Sequence, residues 1–394
     1  MRRARLERVL NVAEMRTLAR RRLPRVVFDA IEGGSGDEVS VAANRDAFQR
    51  LWFRPRALAD VSRRVLATTV LGQQVSMPLL LAPCGMARLV HAEAELGVAR
   101  AAGSVGTLYA VSAAASQSME AIAAAATGPL WYQLYLPAAR PDAEALLDRA
   151  AAAGYGVLCV NIDSPISPKR ERDFRNGLTI PLRVTPRLIA AGTSRPGWAA
   201  GFLAGRTGRG GDSSFYALRS AYQRLATTIA DFHPVTFQDL EWLRDRWHGK
   251  LVVKGVQRGD ECGRMVDAGV DGIVVSNHGG RNLDGAQATL DALPEVVGSV
   301  AGRAEVILDG GIRRGGDVVK ALALGARACL IGRPYLYGLA VAGGDGVRHV
   351  LELLRAEIDS TMALLGCSTA AEIDATTVGR GTPGALEAMP SPHV

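Results

Sequence analysis

The 394-residue sequence predicts an α/β fold, a (β/α)8 TIM barrel with an N-terminal helical extension and a long loop after the fourth strand. Three observations predict it: eight short apolar runs rich in β-branched residues, segments of helical composition between them, and one long gap in this alternation. Eight β/α units favour a closed barrel, because an open doubly wound sheet usually has fewer strands.

The predicted strands begin after Met77 and share a run of apolar residues that ends in polar groups. They are 79–82, 108–112, 130–135, 157–163, 251–254, 272–277, 305–309 and 329–332. The segments between them carry apolar residues on one helical face. These predicted helices are 92–102, 118–126, 142–153, 260–268, 288–297 and 316–324, and a further helix is predicted at 346–365.

Residues 1–75 are expected to cap the barrel of 76–370. Helical spacing of apolar residues predicts a helix from residue 6, and Pro24 begins a second helix that Gly33 and Gly34 stop. Residues 65–74 predict a short hairpin outside the main sheet. The tail of 371–394 has several late prolines, and it is expected to be loose from Gly379 onward.

The gap in the alternation contains a long basic loop over 183–235. Between residues 187 and 224, six arginines stand against a single acidic residue, Asp212. Long loops without secondary structure in compact domains are usually functional or disordered. Two interpretations stay open: the basic stretch with its apolar residues lies on an anionic membrane surface, or it forms a solvated lid over the active site.

The composition is that of a globular protein, with 48% apolar and 22% charged residues. The net charge of +7 suits an anionic surface, substrate or cofactor. Nucleic acid is the weaker choice, since no zinc-finger, RRM or basic-zipper pattern occurs. Five cysteines without a C-x-x-C pair predict buried thiols in a reducing cytoplasm. We read no signal peptide and no bilayer-spanning segment, and expect a cytoplasmic protein with any membrane contact peripheral, on the inner face of the cell membrane.

The segment Val274-Val275-Ser276-Asn277-His278-Gly279-Gly280-Arg281 organises the predicted site. A buried parallel strand that ends in polar residues delivers chemistry at its carboxyl end. His278 is placed to take a proton, and Arg281 to hold an anion. A lone histidine is more often structural, but the strand end, the two glycines and the arginine favour a role in the site.

Other polar residues follow the predicted strands and should meet at the same mouth. They are Ser112, Gln133, Tyr135, Asp163, Lys254, Ser276, Asp309, Arg313 and Arg333. Glycines and arginines after the last two strands predict a bound phosphate, with simple tight turns as the alternative. Lys254 suits a Schiff base, anion stabilisation or a buried salt bridge. Asp163 suits orientation of His278, and no metal site is predicted because the ligand spacing is missing.

Several motifs together resemble the FMN-dependent α-hydroxy-acid dehydrogenases and oxidases, which include (S)-mandelate dehydrogenase and L-lactate dehydrogenase. They are Trp131-Tyr132-Gln133-Leu134-Tyr135, Lys254-Gly255, Ser276 to Arg281, Asp309-Gly310-Gly311-Ile312-Arg313 and Gly332-Arg333-Pro334. The likeness runs from about residue 23 to 367. It is closest to the mandelate and lactate dehydrogenases through Ser76-Met77-Pro78-Leu79-Leu80, Arg170-Glu171-Arg172-Asp173 and Arg195-Pro196-Gly197-Trp198.

The resemblance implies a role for each matching residue. The residues implied in FMN binding are Pro83, Cys84, Gly85, Ser112, Gln133, Asn161, Lys254, Ser276, Asp309, Gly311, Arg313, Gly332 and Arg333, the last four around the phosphate. The catalytic residues would be His278 as base, Asp163 as its partner and Lys254 beside the reduced flavin. Arg281 and Arg170 would bind the substrate carboxylate and Tyr135 a substrate oxygen, and Phe28 would stand where many members have a tyrosine.

The resemblance also implies an activity: oxidation of an L-2-hydroxy acid to the 2-oxo acid, with electrons passed to a quinone or another non-oxygen acceptor. An oxidase that uses oxygen is the alternative. Gly85 and Ala114 replace bulkier residues of some relatives, which predicts room for an aromatic or long substrate. A homotetramer is also implied. Two other classes stay open, an aldolase- or isomerase-type barrel that uses Lys254 covalently and a non-catalytic flavin-binding protein.

Overall fold

The computed structural model describes residues 6–178, 186–204 and 233–380, and its N-terminal part forms three helices and three short strands. These are α1 (Val12–Arg22), α2 (Arg25–Glu32), α3 (Val39–Gln49), β1 (Leu51–Phe53), β2 (Thr68–Val70) and β3 (Gln73–Val75). Helix α1 begins after Asn11, whose side chain accepts a hydrogen bond from the Glu14 amide at 2.9 Å. The β2–β3 pair is an antiparallel hairpin, where the sequence predicts one.

The barrel follows, with eight parallel strands that all overlap the predicted ones. They are β4 (Leu79–Leu81), β5 (Tyr109–Ser112), β6 (Leu130–Leu134), β7 (Val157–Asn161), β8 (Lys250–Val256), β9 (Gly272–Val275), β10 (Glu305–Asp309) and β11 (Ala328–Ile331). Strand β11 pairs with β4 and closes the sheet into a barrel. The (β/α)8 prediction is confirmed, and all eight carboxyl ends face one mouth.

Helices surround the strands. In the first half they are α4 (Ala87–Val90), α5 (Ala94–Ser104), α6 (Met119–Ala125), α7 (Arg140–Ala152), α8 (Glu171–Asn176), α9 (Pro186–Thr193), α10 (Pro196–Ala204) and α11 (Phe237–Arg246). In the second half they are α12 (Cys262–Asp267), α13 (Thr289–Val300), α14 (Gly315–Ala323) and α15 (Arg333–Leu365). Within the described residues no helix is both long and apolar enough to cross a bilayer.

The barrel strands are buried on both faces, which explains their unbroken apolar runs. One face of each strand fills the interior, where Trp131 is the largest side chain, and the other face packs against the helices. The five cysteines are free thiols, four of them buried and Cys84 partly exposed. Because apolar residues fill the core, the polar side chains of the barrel strands lie at the strand ends, where they form the site.

The predicted long loop over 183–235 is partly helical, which corrects the sequence interpretation. Helices α9 and α10 each begin at a proline, a residue suited to the first helical turn. The Trp198 indole N–H of α10 donates to the Leu89 carbonyl of α4 at 2.8 Å, so this part packs on the barrel. Helix α11 begins at a capping box between Thr236 and Asp239. Most of the arginine-rich stretch, 205–232, lies outside the described residues.

The C-terminal part also differs from expectation. Helix α15 is broken at Ala342 and Gly343, and its second part matches the helix predicted at 346–365. Strand β12 (Val378–Arg380) pairs antiparallel with β1, so Gly379 is part of a sheet and the prediction of a loose tail from this residue was wrong. Residues 381–394 lie outside the described residues.

Candidate active site

A cavity lies at the carboxyl ends of the barrel strands, beneath α2 and α4. Most of the residues singled out in the sequence line it: Pro83, Cys84, Gly85, Ser112, Ala114, Tyr135, Arg170, Lys254, His278, Arg281, Asp309, Gly311, Arg313, Gly332 and Arg333. They come from distant parts of the chain. The parallel barrel therefore brings together residues whose spacing in sequence gives no measure of their separation in space.

Four further candidates lie directly behind this lining. Gln133 accepts a hydrogen bond from the Ser112 hydroxyl at 3.1 Å, and Ser276 accepts one from the Lys254 ammonium at 2.8 Å. Asp163 lies against His278. Asn161 donates its amide N–H to the Asp163 carboxylate at 2.6 Å, so this amide is engaged by the carboxylate, where the resemblance implies a flavin contact.

Phe28 is not among the residues that line this cavity, and its assignment as a substrate-binding residue stays a prediction. It is only 5% exposed, and its ring stacks on Tyr337 with centroids 6.5 Å apart. The α2 residues that line the cavity are Val27, Ala30 and Ile31, on another face of the helix. Their i, i+3, i+4 spacing is the signal that could have identified them from the sequence.

His278 and Asp163 form an acid–base pair at the mouth. The imidazole Nδ1 lies 3.1 Å from an Asp163 carboxylate oxygen, which assigns Nδ1 as donor and leaves Nε2 as the basic nitrogen. Burial lowers the pKa of His278, against the opposing effect of Asp163. Burial acts to raise the pKa of Asp163, but His278, Lys254 and a hydrogen bond from Asn161 outweigh it and hold that pKa well below its ordinary value. The pair therefore presents a neutral imidazole backed by a carboxylate, which is the form of a general base.

Lys254 and Asp309 form a buried ion pair on the barrel axis side of the cavity. The ammonium lies 2.8 Å from the carboxylate, and the side chains are 4% and 13% exposed. Burial alone would lower the pKa of Lys254, but Asp309 and Asp163 raise it above its ordinary value. A Schiff base requires a neutral amine. The permanently charged ammonium favours anion stabilisation over the covalent chemistry of an aldolase.

Buried arginines make the other wall electropositive. One guanidinium nitrogen of Arg281 donates to the carbonyls of Ala30 and Gly33 at 2.9 and 2.7 Å. All three nitrogens of Arg333 donate to carbonyls, at 2.9 to 3.0 Å. Burial, with the neighbouring cation Arg170 for the first and Arg281 for the second, lowers the pKa of Arg281 and of Arg333 to about 10. Such a concentration of cations suits a carboxylate and a phosphate.

The residues present fit a flavin nucleotide. The Gln133 side-chain nitrogen is a buried donor without a hydrogen-bond partner among the described residues. Together with Lys254 it offers donors to ring carbonyls, while the arginines offer donors to a phosphate. At Gly311 a Cβ would lie 2.1 Å from the Asn44 carbonyl oxygen, so only glycine suits this turn. No group of three or more His, Cys, Asp or Glu side chains in the described parts of the chain is arranged to hold a metal ion.

Comparison with known proteins agrees with this geometry. The family model described as FMN-dependent dehydrogenase matches residues 19–380. An L-lactate oxidase from Nostoc sp. is 44% identical over 93% of this chain and 96% of its own length. The (S)-mandelate dehydrogenase of Pseudomonas putida is 40% identical over 92% and 91%.

Solved structures give the same result. The crystal structure of the monotopic membrane protein (S)-mandelate dehydrogenase matches with a TM-score of 0.87 and 37% identity, over 95% of this chain and all of that one. The resemblance drawn from the sequence motifs and the FMN prediction are thereby confirmed. The chain therefore belongs to the FMN-dependent dehydrogenases, a family of flavoprotein oxidoreductases.

Proposed function

We propose that this chain oxidises L-2-hydroxy acids with an apolar, mandelate-like side chain to 2-oxo acids and passes the electrons to a quinone or another non-oxygen acceptor. The observation that carries the proposal is the pairing of a base with cations in one cavity. His278 and Arg281 both line it, and Asp163 backs the imidazole at 3.1 Å. A 2-hydroxy acid needs these two functions, a base for the hydroxyl and a cation for the carboxylate.

The protein residues divide the reaction between them. Arg281 and Arg170 bind the substrate carboxylate and Tyr135 a substrate oxygen, which turns the 2-hydroxyl towards the imidazole. His278 takes the hydroxyl proton, and the imidazolium that forms is stabilised by the ionised Asp163. Bound FMN supplies the two-electron acceptor for the substrate's α-hydrogen.

The cofactor residues act through charge and shape. Lys254, kept charged by Asp309, would stabilise negative charge on the bound cofactor, and Ser112, Gln133 and Ser276 would contribute hydrogen bonds. The bound cofactor would pack closely against the backbone of Pro83, Cys84, Gly85, Gly311 and Gly332. Arg313 and Arg333 would hold the phosphate, and Arg313 commits fewer N–H groups to carbonyls, one against three.

Substrate choice follows from the apolar part of the cavity. Its lining includes Val27, Ala30 and Ile31 of α2 and Leu89 and Val90 of α4. Apolar surface of this kind binds an aromatic or long side chain and gains nothing from glycolate. The test is the order of kcat/KM values. We expect (S)-mandelate above L-lactate and glycolate last; glycolate on top would refute the preference.

The electron acceptor separates the two candidate enzymes. Dehydrogenase chemistry is supported by the structural similarity to (S)-mandelate dehydrogenase, and oxidase chemistry by the 44% identity to an L-lactate oxidase. Enzyme reduced anaerobically with (S)-mandelate should be mixed with aerated buffer or with a quinone analogue in a stopped-flow instrument. Slow reoxidation in air and fast reoxidation by quinone support the dehydrogenase, whereas rapid peroxide formation identifies an oxidase. A yellow protein that no 2-hydroxy acid bleaches would instead be a non-catalytic flavin-binding protein.

Peripheral membrane contact is the second part of the proposal. The structural relative is a monotopic membrane protein, and α9 and α10 of the basic segment are rich in apolar residues. Cosedimentation with anionic liposomes should be compared between the full chain and a variant lacking 188–224. Because Trp198 packs on Leu89, retention of FMN by the deletion variant must be checked first. Equal binding by both proteins would remove the membrane assignment.

The expected homotetramer is tested separately, by light scattering of the full chain.

A further inference from the structure

The carboxylate of Asp163 receives an unequal set of hydrogen bonds. One oxygen accepts from the His278 ring at 3.1 Å, from the Asn161 amide at 2.6 Å and from the Ser164 hydroxyl at 3.2 Å. The other oxygen is buried without a partner among the described residues. The carboxylate is therefore held at the oxygen that faces the base. The amide and the hydroxyl both compete with the imidazole for the negative charge on this oxygen.

A second layer holds the serine. The Asn282 side-chain N–H donates to the Ser164 hydroxyl and to the Asp163 backbone carbonyl, both at 2.7 Å, and Asn161 also donates to Ser164 at 3.1 Å. A carbonyl can only accept, so the amide of Asn282 must present its nitrogen to this side. With two donors on its oxygen, Ser164 directs its own proton to Asp163. The direction of every bond in the network is thus determined.

These contacts join two separate loops of the barrel. Asn161 is the last residue of β7 and Asp163 and Ser164 follow it, whereas His278 and Asn282 follow β9. Asn282 joins the second loop to the first beside the acid–base pair, as does Arg170, which donates to the Arg281 carbonyl at 3.1 Å. The side-chain carbonyl oxygen of Asn282 is left buried without a partner among the described residues, an arrangement that native proteins seldom tolerate without a reason.

We propose that Ser164 and Asn282 are positioning residues for the base. With Asn161 they orient the Asp163 carboxylate towards His278 and reduce the negative charge that the carboxylate presents to the imidazole. This inference rests on the proposed function of His278. Loss of either residue removes a competitor for the carboxylate, directly for Ser164 and through it for Asn282. More negative charge then acts on the imidazole, and the pKa of His278 should rise.

Other charged groups around His278 and Asp163 also act on the pKa of His278. Lys254 of β8 and Arg170, which precedes α8, oppose protonation of His278, and Asp163 favours it. Arg281 lies in the loop that carries His278, and Asp309 of β10 is paired with Lys254. None of these residues is changed in the variants, so a shift would report the carboxylate network.

The experiment compares Ser164→Ala and Asn282→Ala with Ser164→Thr, which keeps the hydroxyl. Asn176→Ala is the matched control, because its amide also donates to a carboxylate, Asp29 at 2.8 Å, but Asn176 does not line the cavity. Two pH profiles are recorded on FMN-loaded enzyme. One is kcat/KM for (S)-mandelate. The other is the rate of diethyl pyrocarbonate modification of His278, followed by peptide mass spectrometry, which requires no turnover.

We expect the two alanine variants to move both profiles to higher pH by about half a unit, the scale of one hydrogen bond, and the threonine and control variants to keep the wild-type profile. A lower rate with an unmoved pKa, or a shift to lower pH, would overturn the inference. If Asn282→Ala loses FMN, Ser164→Ala decides alone. If no 2-hydroxy acid is oxidised, the proposed function fails while the modification profile still decides this inference.

Discussion

Replacement of Lys254 by methionine tests the buried ion pair on which the electrostatics of the site depend. The substitution keeps the length of the side chain and leaves the Asp309 carboxylate buried without its cation. Breaking a buried pair in this way destabilises a protein by about 3–5 kcal/mol. For a chain of 394 residues the entropy of unfolding is about 0.8 kcal/mol/K. The melting temperature should therefore fall by about 4–6 °C.

The same strand provides the control. Lys250 pairs with Asp271 at 2.7 Å, but these side chains are 51% and 23% exposed, so Lys250→Met should lower the melting temperature by only about 1 °C. The double variant Lys254→Met/Asp309→Asn should regain at least half of the loss, since neither charge of this pair is left buried and Ser276 can still donate to residue 309. Melting is followed by circular dichroism with saturating FMN and again on the apoenzyme. Equal losses for Lys254→Met and Lys250→Met, or a double variant as unstable as the single one, would refute the reasoning.

Four further outcomes are expected. Asp163→Asn should lower kcat by about 100-fold or more. It should also move the acid limb of kcat/KM to lower pH, because Asp163 acts to raise the pKa of His278. An acid limb that stays unchanged in stopped-flow flavin reduction would contradict this. Stability should fall as pH drops from 7 to 5, because the unfolded chain binds a proton at His278 that the folded one resists, and His278→Gln should flatten the urea-denaturation midpoint over this range. Gly255→Ala should destabilise the fold by about 1–3 kcal/mol more than Gly154→Ala. Both glycines have positive φ, but a Cβ at 255 would lie 2.6 Å from the Asp163 Cβ, whereas one at 154 meets nothing within 4 Å. Equal melting curves for the two variants would exclude the clash. Ala30→Leu should lower kcat/KM for (S)-mandelate at least about tenfold relative to glycolate, and an equal fall for both would place Ala30 away from the substrate side chain.

Parts of the chain could be predicted because their signals are local. Buried parallel strands require unbroken apolar runs, so the eight strands could be located from the sequence within a few residues. The strand ends then gave Lys254, His278 and Asp309 as neighbours, because all carboxyl ends of a barrel meet at one mouth. The helices α9 and α10 were missed, since glycines and arginines around them mask a short helical pattern. The pairing of Gly379 with β1 was also missed, because a single edge contact leaves no periodic signal.

The sequence by itself determined the barrel, the flavoprotein family and the types of group at the mouth, because burial and strand polarity act residue by residue along the chain. Only the tertiary structure decided which face of α2 lines the cavity, and so introduced Ala30. It alone also showed that Asn161 binds Asp163 and that Asn282 joins two loops. Such contacts depend on the rotation of a helix and on distances between loops far apart in the chain, and these are set by packing of the whole molecule.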